Sequence, residues 1–513
     1  MIDSVPLHVP QQKYEETNLF PQGVQLENPY TVENMLKAYD NLFPSSVTRS
    51  NERSKIKTTH LYVRFKPATE KDIYILEEKR GLDLWDKPLD REYPKERPGG
   101  YHDPSIAKGE ITWQYTVVPA DYGFEDGISH EIIDELYLQD LEEGPEVRSR
   151  ETFPELMWID IQNESFRLTG NEEDIIDKGF VVIRGSKWYP DGYFFYEDNS
   201  GFGKEPAEGL RVKVRSWFKS SSLIVASNGY FKSNKGFTND NITVEVKYER
   251  HDWDIRSGSY GQAYSGEYDL YRSYPRQIYF TQSAERINWY YANIHIGAND
   301  YFTKHNSYGL RYPYHKTNHT MSRLHIGAKD KSGRAHFFDF NNIWLAAELV
   351  MYYKNTLGDV NESRELYTQV THELAHAAHW EYSGTQDINW AFTNIGKRYT
   401  ESWAQCVGWY ISKARYGDDD GWFENQQTRS LTYIKMPNHV YTPLAIDMID
   451  ARNQSQENSS RPNDQVSGYS LYQLEQALPG NLESWYGWRN NIKSMYSNST
   501  EQHIDYLFSE YLQ

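Results

Sequence analysis

His372 and His376 stand four residues apart in a stretch whose apolar residues, Leu366, Val370, Leu374 and Ala377, recur at three- and four-residue spacing. An α-helix satisfies that period and a strand does not, because i and i+4 share a helix face whereas strand side chains alternate every second residue. The apolar residues fall on one side of the cylinder and the imidazoles on another. One face therefore packs, and the other presents two rings about 6 Å apart along the axis, within joint reach of one divalent ion. Glu373 directly follows His372, so His372-Glu373-Leu374-Ala375-His376 reads H-E-x-x-H, in which the carboxylate can poise a metal-bound water. Asp359, with Glu362 three residues on, is expected to cap the helix start, and Gly384 to stop it after Ser383.

A catalytic zinc site needs a third protein ligand and leaves the fourth position to water. His379 lies on nearly the same face, but about 4.5 Å beyond His376 along the axis, too far for one ion to meet all three rings. It supports the ligands, faces substrate or simply packs. Glu401 is the better ligand, on what reads as the next long helix. Trp403, Val407, Tyr410, Ile411 and Ala414 give that helix an apolar side, and Gly417 is its natural stop. Glu401, Gln405 and Gly408 form another stripe, where the missing side chain of Gly408 lets the two helices approach closely.

His372-Glu373-x-x-His376 followed by Glu401-Ser402-Trp403-Ala404 resembles the gluzincin branch of the zincin metallopeptidases, the thermolysin-like class whose third ligand is a glutamate. The longer text Thr371 to Trp380, with Glu401 to Ala404 after it, is similar to a group of largely uncharacterised exported metallopeptidases of Bacteroidetes-type bacteria. The gluzincin likeness covers only the helix pair; the narrower one extends over most of the chain, less specifically outside the helices. The resemblance implies one Zn²⁺ per chain, held by His372, His376 and Glu401, and hydrolysis of peptide bonds in extracellular protein or glycoprotein. Glu373 would take the water proton and pass it to the leaving amine. The chain departs from the thermolysin-like pattern at Gln405, where that class has an aspartate orienting a metal-bound histidine. An amide oxygen can accept the imidazole N–H but brings no charge. His439, Tyr441 and Tyr410 are the candidates to steady an oxyanion, none favoured over a structural role.

Composition bounds the partners. In 513 residues, 54 basic against 73 acidic side chains give a formal charge of -19, which argues against nucleic acid or an anionic membrane. The single cysteine, Cys406, excludes an intrachain disulfide and reads as a small buried hydrophobe or a thiol near the metal. No run is long and apolar enough to span a bilayer; the best, Ile343 to Tyr353, contains Glu348 and reads as a buried helix. Met1 to Pro6 lacks the features of a signal peptide, whereas the resemblance implies export to the periplasm, cell surface or medium.

The pattern predicts a multidomain α+β chain. An extended arm (1–29) leads into a small α+β domain (30–165), with strands at His60 to Phe65 and Ile111 to Val118 and a helix at Glu70 to Lys79. The acidic stretch Glu131 to Glu146 reads as a solvated helix face. A β-sandwich (175–265) follows, with alternating strands at Leu210 to Arg215 and Ile242 to Tyr248; Ala226 to Phe231 resembles a turn of transthyretin-like, carboxypeptidase-regulatory domains. The remainder (266–513) is expected to be a mainly helical zincin-like domain with a small sheet, its strands Arg323 to Gly327 and Arg334 to Phe340 joined by a polar turn at Asp330 to Gly333. In gluzincins an edge strand beside the active helix pairs with substrate, and either of these two strands can serve. His325 and His336 read as packed strand residues, and Asp418 to Gly421 as a solvated turn.

Two functions compete with different demands on the site. The first is the zinc-dependent metallopeptidase. The second is a surface binding or adhesion protein with a catalytically silent zincin-like domain, with which 42 Tyr and 15 Trp are compatible because aromatic rings stack on sugars and peptides. A purely structural metal site gives Glu373 no purpose.

Overall fold

The alternation in His60 to Phe65 becomes strand β1 (His60–Lys66), central in a three-stranded antiparallel sheet between β2 (Gln114–Pro119) and β3 (Ser129–Leu136). Tyr62 faces a core with Met35 and Tyr39 of helix α1 (Val32–Leu42) and Trp158 and Phe166 of α2 (Glu155–Leu168). Leu61, Val63 and Phe65 face the other way, onto Leu76 and Leu84. The structure is a computed structural model describing residues 22–44, 50–107, 110–139, 152–176, 187–258, 261–313, 323–337, 347–383, 394–417, 421–425, 427, 429–436, 439–479 and 484–512. The described end of the arm is tied down, Val24–Gln25 pairing with Arg91–Glu92; residues 1–21 lie outside the described residues.

The acidic stretch corrects the sequence reading. From Ser129 to Leu136 it is β3, not a helix, and residues 140–146 lie outside the described residues. Ile132 and Ile133 are β-branched, and Glu131 meets Arg64 Nε across the strands at 2.8 Å. Pairing on β1 outweighs a charge pattern that has no apolar helical face behind it.

Along the chain follow β4 (Asp191–Asp198), β5 (Arg211–Ser216), β6 (Lys219–Ile224), β7 (Tyr230–Lys232), β8 (Ile242–Lys247), β9 (Trp253–Ser257), β10 (Gly261–Tyr264), β11 (Tyr268–Leu270), β12 (Arg276–Phe280), β13 (Leu324–Ser332), β14 (His336–Phe337) and β15 (Leu349–Lys354). A ten-stranded sheet has the path β6-β5-β8-β10-β9-β13-β15-β14, with β11 on β8 and Gly99–Tyr101 on β10. A second sheet, β7-β4-β12 with Gly203–Pro206 on β4, packs against it, Phe194 meeting Tyr268 edge-on at 6.4 Å. The strands read as a separate sandwich and those read as a small C-terminal sheet are thus neighbours in one sheet, with a shared apolar core from Phe194 to Tyr511. The turn before β7 follows the sequence: Gly229 has φ +83 and Asn228 Oδ1 accepts from the Tyr230 N–H at 3.0 Å.

Two further expectations fail near the site. Leu349 to Tyr353, the end of the run read as a buried helix, lies in β15, parallel to β13 with Ile326 opposite Leu349, and residues 343–346 lie outside the described residues. A strand buried on both faces is apolar throughout, so a short run of this kind carries no period to distinguish it from a helix. Asp330 to Gly333 is not the expected polar turn either. β13 continues to Ser332, and β14 pairs antiparallel with β15, His336 opposite Val350. Of the two strands considered for substrate, β13 is therefore interior and β14 ends the path.

The polar faces of β5 and β8 are buried rather than wet. Lys87 reaches Glu245 at 2.6 Å and Lys213 reaches Asp83 at 2.8 Å, joining the N-terminal region to the ten-stranded sheet through closed ion pairs. Three long helices then stack together: α3 (Arg286–Tyr308), α4 (Ser363–Ser383) and α5 (Asn394–Tyr416). A Cβ on Gly297 of α3 would lie 3.1 Å from Val370 Cβ of α4, so the glycine sets their close approach. Among the described residues no helix is long and apolar enough to cross a membrane.

Candidate metal centre

Helix α4 starts where distant residues satisfy its first donors. The Ser363 N–H donates to Asn199 Oδ1 at 2.8 Å and the Arg364 N–H to Ser200 Oγ at 2.9 Å. The Glu365 carboxylate accepts from the Glu362 N–H at 2.9 Å. The cap expected of Asp359 with Glu362 is therefore made by Glu365 and by the turn after β4, 164 residues away from Ser363, which no local pattern reveals. Gly384, read as the stop, lies outside the described residues.

Leu366, Val370, Leu374 and Ala377 are buried as their period requires, and α5 closes on another side of α4. Gly408 is what permits that contact: its Cβ would lie 3.0 Å from the Thr368 carbonyl oxygen and 3.3 Å from His372 Cβ. One turn on, Thr368 Oγ1 donates to Ser412 Oγ at 2.8 Å. Trp403, Val407 and Ile411 are buried, Ala414 is exposed, and Gly417 ends the helix at φ +69 with its N–H on the Lys413 carbonyl.

This packing brings three ligand atoms together. His372 Nε2 and His376 Nε2 are 3.1 Å apart, and Glu401 Oε2 lies 3.2 Å from the first and 3.3 Å from the second. Bonds of ~2.05 Å at the tetrahedral angle place neighbouring zinc ligands ~3.3 Å apart. The triangle thus has the size of three corners of one tetrahedral ion, with a fourth corner left for water or substrate. It is the one such group of His, Cys, Asp or Glu among the described residues. Burial alone would raise the Glu401 carboxyl, but the His376 charge and the hydrogen bonds from both histidines hold it well below the usual range.

Glu373 is 4% exposed, and burial pushes its carboxyl up against the pull of His372 and His376. A carboxylate made more basic in this way accepts a proton more readily. A cleft of ≈ 530 Å³ opens over His372 and Glu373 and is lined in addition by Arg334, Gln405, Trp422, Arg429, Tyr433, His439 and Tyr441.

The remaining candidates separate. His379 is buried with Nε2 3.1 Å from Tyr399 Oη, and burial drops its pKa to about 3, so it packs as a neutral ring between α4 and α5. Gln405 lines the cleft, but its Oε1 is buried and accepts no hydrogen bond, so it holds neither imidazole. The Tyr441 ring lies 6.1 Å from that of His372, and burial followed by the Glu401 carboxylate pushes its phenol up. His439 lines the cleft with its Nε2 unpaired. Tyr410 is not brought there; it packs edge-on against Tyr308 at 6.2 Å. Cys406 is also turned away, its thiol raised by burial and then by Asp450 and Asp447. His325 belongs to a buried ion cluster with Asp254 at 2.8 Å and Glu70 at 2.5 Å, and His336 Nδ1 is held by the Arg334 carbonyl at 2.9 Å. Arg334, Arg429, Tyr433 and Trp422 escaped the sequence reading, since none stands in a motif.

No protein-family profile matches the chain, and no curated protein matches it in sequence. The site is defined by its own residues and distances.

Proposed function

We propose that this chain is a zinc-dependent peptidase of the gluzincin type, hydrolysing peptide bonds of protein or glycoprotein substrates outside the cell. What carries the reading is one conjunction: a ligand triangle of 3.1 to 3.3 Å, a buried carboxylate next in sequence to its first histidine, and a cleft open to both. Bound there, zinc would supply Lewis acidity toward a carbonyl and a nucleophilic water at neutral pH. His372 and His376 would hold it through Nε2 and Glu401 through Oε2. Glu373 accepts the proton of the attacking water and delivers it to the leaving amine. Tyr441, against Glu401, is the residue best placed to donate to a developing oxyanion. The strand β14, which ends the sheet among the described residues and whose Phe337 meets Trp380 of α4 at 6.4 Å, offers an edge on which a substrate backbone can pair. The helix pair beside that edge supports a zincin-like unit in the C-terminal half, and export is proposed from the resemblance carried by Thr371 to Trp380 alone.

The test is cleavage of a quenched-fluorescence peptide pool by zinc-loaded wild type beside Glu373→Gln. Wild type should cleave, and the variant should keep its zinc while losing roughly 100-fold or more in rate. An equally active variant refutes the role of Glu373. A zinc-loaded wild type that cleaves nothing but adheres to glycan or protein surfaces transfers the function to a binding protein with a silent site.

A further inference from the structure

The chain is acidic overall, with a formal charge of -19, yet its cleft is not. Among the described lining residues Glu373 is the sole carboxylate, whereas Arg334 and Arg429 both present guanidinium groups. Neither guanidinium closes a salt bridge on a carboxylate among the described residues, although the Arg334 charge acts on the Glu373 carboxyl across the cleft. Arg334 lies over the Tyr441 ring at 5.2 Å and Arg429 over the Tyr433 ring at 5.5 Å, so each guanidinium rests on an aromatic face. Elsewhere the protein closes its arginines on acids: Arg53 on Asp40, Arg256 on Asp254, Arg323 on Glu77.

The two cations are joined by an aromatic run. Tyr433 packs on His439 at 4.6 Å, and His439 stands 6.3 Å from Tyr441, which in turn stands 6.1 Å from His372. His439 adds an Nε2 that makes no hydrogen bond. One wall of the cleft thus carries two guanidiniums joined by uncharged rings, leading away from the ligand triangle. Unpaired guanidiniums in a cleft recognise carboxylates through paired N–H donors, and a local field opposite in sign to the rest of the surface draws such groups in.

We propose that the Arg334–Arg429 wall is a subsite for a substrate carboxylate close to the cleaved bond, so that the cleft takes acidic peptides. The proposal rests on the peptidase reading for its cleavage but on charge alone for its binding. The carboxylate has two sources, an acidic side chain within the peptide or a free C-terminus, and these correspond to internal cleavage and to trimming from the end.

Binding without turnover separates the two claims. Three fluorescein-labelled hexapeptides are titrated by anisotropy into the full zinc-loaded Glu373→Gln chain: one with an internal Glu and an amidated end, one with neutral side chains and a free C-terminus, and one neutral and amidated. At least one carboxylate-bearing peptide should bind roughly tenfold or more tighter than the neutral one, with the advantage lost in Arg334→Gln with Arg429→Gln and partly retained in Arg334→Lys with Arg429→Lys. Preference for the internal Glu identifies a side-chain subsite, and preference for the free end identifies C-terminal capture. Equal binding of all three, binding of none, or an advantage that survives loss of both arginines overturns the proposal. Wild type that cleaves no peptide, beside charge-selective binding that depends on the arginines, refutes the peptidase reading and leaves the subsite standing.

Discussion

Gly408→Ala isolates the helix contact on which the ligand triangle depends. In an ordinary helix interior this substitution stabilises, since alanine is favoured over glycine by about 1 kcal/mol. Here the new methyl would meet the Thr368 carbonyl oxygen at 3.0 Å and His372 Cβ at 3.3 Å. The carbonyl belongs to the backbone of α4 and cannot swing aside, so α4 and α5 must separate by a few tenths of an ångström. Overpacking of this kind costs about 1–3 kcal/mol, which leaves a net loss of about 0–2 kcal/mol after the gain in helix propensity. The metal should feel the change more sharply. A site tolerates ligand errors of only about 0.2 Å, and the displaced partners are His372 on one helix and Glu401 on the other. Denaturant unfolding of the metal-free protein gives the first quantity, and zinc competition against a chromophoric chelator gives the second. A variant more stable than wild type with unchanged zinc affinity would refute the close approach at Gly408.

Leu374, fully buried on α4 between the two ligand histidines, should cost about 2–5 kcal/mol when cut to alanine, measured by the denaturation midpoint. His325 gives a pH signature far from the metal. Burial alone would lower its pKa, but Asp254 and Glu70 hold it at about 10 while Arg256 opposes them. With an unfolded value of about 6.5, its contribution is complete below that pH and is lost as pH rises through about 10. Unfolding free energies from pH 6 to pH 10.5 should fall more steeply in wild type than in His325→Gln, and parallel curves would contradict the ion cluster.

The site was legible because its signal is local. One helical period placed His372, Glu373 and His376, and a second placed Glu401 with Gly408 two turns on along the same face. What failed depended on partners distant in sequence. Leu349 to Lys354 has no period because both of its faces are covered, and Glu131 to Leu136 is a strand because Arg64 and β1 wait beside it. The alternation at Lys213 and Glu245 does not say what covers the polar faces, which are sealed by Asp83 and Lys87 from the N-terminal region. Arg334 begins a segment read as a strand and Arg429 stands in no motif, so neither was legible as a cleft residue, and Tyr410, an equal candidate with His439 and Tyr441, packs on α3 instead. Composition separated none of these cases.

The most direct test of the central claim is the zinc content of purified wild type and Glu401→Ala, by elemental mass spectrometry after dialysis against trace-free buffer. About one zinc per wild-type chain and little in the variant is the expected result for a two-histidine, one-glutamate centre. Wild type that holds no zinc even after repletion, or a variant that holds as much as wild type, would contradict it.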